Sequence, residues 1–166
     1  MKGTDAHCLP AAADFAETLG WKTHSPKRLV LQAGKDLQAV QKGFSVASEN
    51  GDWLRQAARK NVLVDPTFVL KFEKDEGLVR AVAETQSVFE LPLWPLLHAS
   101  GRKRASLLSS YGRFAALCDK RGAKWVWTSQ AQAAWDVKSP RETEALLIQV
   151  GLTREQAGKK IAEEPL

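Results

Sequence analysis

Four residues of this chain combine a type that holds divalent metal ions with a place on or near the end of an extended segment. Asp5 and His7 stand two apart, on one side of an extended segment, and Asp65 and Glu90 stand at or near the ends of apolar β-like runs. Such sets serve metal-assisted phosphoester hydrolysis, in which two or three ions held by several histidines and carboxylates activate water and clamp the phosphate. The chain has only three histidines, His7, His24 and His98, so the ligand count falls short. His7 therefore reads as a hydrogen-bonded residue at a strand mouth, and Glu90 as a buried polar anchor that needs a basic partner. A vestigial mononuclear site at Asp5 and His7 stays open. No Gly-rich phosphate loop, activated serine or Cys–His pair accompanies these residues. Cys8 and Cys118 are far apart without ligand spacing and read as small buried apolar residues.

The cations point to a second chemistry, the binding of an anion. Net charge is +5 and the sequence pI is about 9.3, a common footprint of nucleic-acid binding. In GRKRASLLSSYGRFAALCDKRG, Leu107, Tyr111, Phe114 and Cys118 share one helical face, widened by Leu108 and Ala115. Arg102, Arg113 and Lys120 fall within roughly 20° of one another on the opposite face, with Lys103 and Arg104 beside the first of them. Further on, Lys138 and Arg141 flank Ser139-Pro140 at the start of a helix. A helix N-terminus carries free N–H groups and partial positive charge, and arginine adds a fork that matches phosphate. The residues expected to bind an anionic partner, RNA if the resemblance given below is counted, are thus Arg102, Lys103, Arg104, Arg113, Lys120, Lys138, Ser139 and Arg141. The bland alternatives are a solvated helix face and a well-capped helix with surface charges. Trp135 reads as a packing residue, a judgement that exposure would reverse in favour of base stacking.

These residues must be positioned by a chain that alternates β-like runs with amphipathic helices. Strands are expected at Met1–Cys8, Arg28–Ala33, Gly43–Ser48, Asn61–Pro66, Ser87–Leu93 and Lys124–Ser129. Helices are expected at Pro10–Trp21 with Phe15 and Leu19 on one face, at Asp36–Lys42, Asp52–Lys60 and Asp75–Gln86, and from about Arg102 to Arg121. In the fourth of these, Leu78, Val79 and Val82 point inward. Two terminal helices carry explicit start signals, the capping boxes Ser139-Pro140-Arg141-Glu142 and Thr153-Arg154-Glu155-Gln156, with Gly151 stopping the helix between them. No internal repeat stands out.

Regular β-α alternation with short connections implies parallel strands and right-handed crossovers, hence a doubly wound sheet or a TIM-type barrel. At 166 residues, with 44% hydrophobic and 26% charged residues, the composition is that of one globular domain spanning 1–166. The apolar runs are broken by charge short of a membrane span, and no signal segment follows Met1, so the expected location is the cytoplasm.

The chain resembles the archaeal and eukaryotic RNase P protein component 3 family. The likeness is strongest over KWVWTSQAQAAWDVKSPRETEALLIQVGLTREQAGKKIAEEPL. FELPLWPLL (Phe89–Leu97) is similar to the family's Glu-containing strand ending in Pro-Leu-Leu, RKRASLLS to its basic segment, and DAHCLP (Asp5–Pro10) to its first Asp-x-His strand. The resemblance implies a TIM-like α/β barrel, related to metal-dependent phosphoesterases but used as a non-catalytic RNA-binding subunit of ribonuclease P, in removal of 5′ leaders from precursor tRNA. It implies the RNase P RNA, protein component 2 and other subunits as partners, and precursor tRNA indirectly. It implies no cofactor on this chain, while the RNA holoenzyme needs magnesium. The rival readings are a metal-dependent phosphoesterase of related fold and a protein-interaction scaffold. Trp94 replaces an arginine common before Pro-Leu-Leu, the stretch from Trp21 to Arg28 is short for the strand expected there, and members commonly continue past the position of Leu166. A reduced or partly open barrel with about six strands is therefore expected.

Overall fold

The computed structural model describes residues 3–5, 10–23 and 26–162. Among these lie seven strands, one more than the sequence predicts. The five-stranded sheet follows chain order, with β3 (Arg28–Val30), β4 (Ser45–Ala47), β5 (Leu63–Asp65), β6 (Val88–Pro92) and β7 (Trp125–Thr128) side by side. The β3/β4, β4/β5 and β5/β6 pairs are parallel, as the β-α alternation requires. Strands β4 to β7 are buried at every position, as expected for parallel strands covered on both faces, whereas β3 at the edge is partly exposed.

The described residues fall into two compact units, one drawn from 3–5, 10–23, 92–112 and 126–162, the other from 26–91 and 113–125. In the first, β1 (Gly3–Asp5) pairs in parallel with β2 (Trp21–Thr23). This second strand corrects the expectation that the stretch after Trp21 is too short to form one. Its cause is Gly20, whose φ of 92° ends α1 (Pro10–Thr18) earlier than predicted and releases Trp21 into extended backbone. Within α1 the buried face is Ala12 and Ala16, whereas Phe15 is 43% exposed.

The same unit holds α4 (Trp94–His98), a short helix the sequence reading passes over, the first part of α5 (Gly101–Arg121), and α6 (Pro140–Val150) and α7 (Arg154–Ala162). Both predicted capping boxes form: the Glu142 carboxylate accepts from the Ser139 N–H at 2.8 Å, and the Gln156 amide oxygen accepts from the Thr153 N–H at 2.9 Å. Gly151 ends α6 at φ 113°. Gly112 is needed for close packing, since a Cβ there would sit 2.3 Å from the Val150 carbonyl oxygen. Tyr111 is fully buried and donates its hydroxyl to the Pro92 carbonyl at 3.0 Å.

In the second unit, α2 (Gly51–Ala57) is capped by Asn50, and α3 (Glu76–Ala83) turns Leu78, Val79 and Val82 inward as predicted. Phe114, from the later part of α5, meets Phe72 and Phe89 edge to face, and Cys118 is buried beyond it. The helix predicted at Asp36–Lys42 is instead a 3-10 turn at Gly34–Ala39. It buries none of its residues, so no packed face extends it into an α-helix. Among the described residues no helix is long and apolar enough to cross a membrane.

Candidate nucleic-acid interface

The loop between β7 and α6 is built around one buried carboxylate. Asp136 is 5% exposed and accepts the N–H groups of Gln132 and Ala133, each at 3.2 Å, on one oxygen and His98 Nε2 at 2.8 Å on the other. Burial opposes its ionisation, but the hydrogen bonds from His98, Gln132 and Ala133 outweigh it and hold the carboxyl below the usual aspartate range. His98 is in turn stacked on the Trp94 indole, ring centres 4.5 Å apart. Past the turn, Val137 is buried and the Lys138 carbonyl accepts the Trp21 indole N–H at 2.7 Å. Between these anchors, in the 3-10 turn Ala134–Asp136, Trp135 points outward with 78% of its surface exposed. The predicted packing role is thereby overturned.

Beside Trp135 runs an open groove lined by His98, Arg104, Asp136, Lys138 and Glu142 among others. Its carboxylates are already engaged: Asp136 as above, and Glu142 with both the N–H and the hydroxyl of Ser139 at 2.8 Å. Those bonds, first from the Ser139 backbone and then from its side chain, hold the Glu142 carboxyl below the usual range. Ser139 thus spends its hydroxyl on its own helix. The cations are differently placed. Arg102, Lys103, Arg104, Lys138 and Arg141 make no ion pair with a described residue, and Lys138 Nζ reaches only the Trp135 carbonyl, at 3.5 Å. Three of them stand in the first turn of α5, where no acidic residue offsets the positive end of the helix.

In the other unit Arg113 pairs with Glu73 at 3.6 Å, while Lys120 is exposed. There, too, the anchor predicted for Glu90 is present. Arg28 on the edge strand reaches across with Nη1 to Glu90 Oε1 at 3.0 Å and Nη2 to Asp65 Oδ2 at 2.6 Å, and both carboxylates are fully buried. Asp65 Oδ1 accepts from the N–H and hydroxyl of Thr67, and Glu90 from the Ser45 hydroxyl. A guanidinium thus bridges Asp65, at the end of β5, and Glu90, in the middle of β6, the two described carboxylates that the sequence offers as metal ligands. Among the described residues no group of three or more His, Cys, Asp or Glu could hold a metal ion. His7, Cys8 and His24 lie outside the described residues, and of Asp5 only the strand position is described.

Residues 54–166, more than half the chain, match the family described as RNase P subunit p30. The chain belongs to that family. Among curated relatives, the Ribonuclease P protein component 3 of Methanosarcina barkeri is 33% identical over 95% of this p30-family chain and 67% of its own length. That of Methanosarcina mazei is 31% identical over 68% of this chain and 48% of its own length, so the chain spans about half of that relative. A chain in a cryo-EM structure of archaeal Ribonuclease P with mature tRNA shares the fold at a TM-score of 0.70, over 95% of this chain and 75% of that one, with 19% identity. The TIM-like α/β architecture expected from the sequence stands on that likeness of fold.

Three features of this p30-family chain lie outside the sequence reading: the Arg28 bridge, the His98–Asp136 pair and the exposure of Trp135. A signal for the last was present. Gln32-Ala33-Gly34-Lys35-Asp36 and Gln132-Ala133-Ala134-Trp135-Asp136 share one pattern, and in each the aspartate accepts the N–H groups of the glutamine and alanine. Lys35, exposed in the first turn, marks its counterpart Trp135 as outward-facing.

Proposed function

We propose that this chain is a protein subunit of ribonuclease P that binds RNA through its phosphates and assists the removal of 5′ leaders from precursor tRNA, taking no chemical step itself. The observation that carries the RNA-binding role is the set of cations without ion-pair partners, Arg102, Lys103, Arg104, Lys138 and Arg141, in one compact unit. Cations set against a helix dipole cost the fold stability, and a bound phosphate offsets that cost. Membership of the p30 family and the names of the relatives support the ribonucleoprotein context. Within this reading residues 1–166 act as one domain in the cytoplasm. Its partners are the RNase P RNA, component 2 and the other protein subunits, precursor tRNA is met indirectly, and magnesium belongs to the RNA.

Adding the purified chain to RNase P RNA and the remaining protein subunits, and following cleavage of precursor tRNA, tests the proposal. Stimulated cleavage is expected. A chain that leaves the rate unchanged, or that cleaves a phosphoester alone with manganese, magnesium or zinc, overturns it.

A further inference from the structure

Tryptophan is rarely left 78% exposed, because burying its ring contributes as much as any side chain to a core. At Trp135 the exposure is not that of a loose loop. The residue after it is held by His98 and two backbone N–H groups, and Lys138 two residues further is tied through its carbonyl to Trp21. The turn therefore holds the indole outward as a preset flat surface. Within the same groove Arg104 and Lys138 are cations without ion-pair partners, whereas the carboxylates Asp136 and Glu142 are occupied by the loop and the helix cap.

We infer that Trp135 is a stacking platform for an unpaired base of RNA, with Arg104 and Lys138 holding the phosphates on either side of the stacked nucleotide. This rests on the RNA-binding reading above and deepens it, since cations alone do not distinguish paired from unpaired RNA. Charge favours the nucleotide over a peptide: an aromatic face flanked by two cations that make no ion pair with a described residue matches a π-surface carried on a polyanion. A paired base in a helix has both faces covered and is not available to the indole.

The test compares Trp135→Ala and Trp135→Phe in the full chain, using a fluorescein-labelled oligoadenylate and, separately, the duplex that it forms with oligouridylate. W135A is expected to weaken oligoadenylate binding roughly tenfold, in the range of one lost base–aromatic stack. W135F should keep most of the affinity. Duplex binding and the salt slope should stay as in the parent, because stacking releases no counterions. Melting curves in parallel should coincide, as an exposed ring supports little packing. Unchanged oligoadenylate affinity in W135A, or an equal loss on single strand and duplex, overturns the inference. So does a W135A chain that binds RNA like the parent and loses only association with another protein subunit, which would assign the indole to a protein interface. The cleavage assay separates the two readings: a parent that stimulates cleavage while W135A binds oligoadenylate normally removes only the base platform. A parent that fails to stimulate cleavage yet shows the W135A loss keeps the platform and removes the ribonuclease P role.

Discussion

Arg28 Nη1 lies 3.0 Å from Glu90 Oε1, a carboxylate with no exposed surface, and the same guanidinium holds Asp65 at 2.6 Å. Removing the cation leaves two buried negative charges without it. Arg28→Met should therefore destabilise the chain by about 3 kcal/mol, at the low end for a broken buried pair because the arginine keeps part of its surface in water. The triple variant R28M/D65N/E90Q should recover part of that loss, since it removes the charges along with their partner. Denaturant midpoints measure both. An R28M chain as stable as the parent would show that the bridge holds nothing together.

Gly112 gives a prediction whose sign opposes helix propensity. On an open helix surface Gly→Ala stabilises by about 1 kcal/mol. Here the new methyl would meet the Val150 carbonyl at 2.3 Å, so Gly112→Ala should instead cost about 1–3 kcal/mol through overpacking. Thermal melts of the two chains decide the sign.

Acid should act through Asp136. Its folded-state pKa lies below the ordinary aspartate value of 3.8, so the unfolded chain takes up the proton first as pH falls. The stabilisation is complete above that value and is lost as pH drops through the depressed folded-state value. Asp136→Asn should cost about 1.5 kcal/mol near neutrality, the worth of hydrogen bonds to a charged acceptor. The gap between parent and D136N should close on acidification below the ordinary aspartate range. Urea titrations across that range measure it, and a gap independent of pH would show that the Asp136 charge does not support the loop.

What the sequence made legible was local. The capping boxes at Ser139 and Thr153 lie within four residues, and the inward faces of α3 and α5 repeat at helical spacing, so neighbours along the chain specify them. Glu90 announced its need for a cation, but Arg28 lies 62 residues away and only the parallel register of the strands brings the two together. Strand β2 was missed because three residues carry almost no periodic signal, and Gly20 was the cue. Trp135 was misplaced because an aromatic ring in a sequence is read as core, whereas the Gln-Ala-x-x-Asp turn fixes its direction from the backbone.

The basic residues should separate by whether their charge is already spent. Each phosphate neutralised by a cation releases counterions and adds about 0.7 to the slope of log affinity against log salt on single strands and about 0.9 on duplexes. Arg102→Ala, Arg104→Ala and Arg141→Ala should each lower that slope by close to one such increment. Arg113→Ala should lower it less, because Glu73 already lies 3.6 Å from that guanidinium. Lys159→Ala should leave it unchanged, as its ammonium sits 2.8 Å from Glu155. Binding to RNase P RNA, followed over a salt series with melting curves in parallel, measures the set. Equal slopes across all five variants would place the RNA on another surface of the chain.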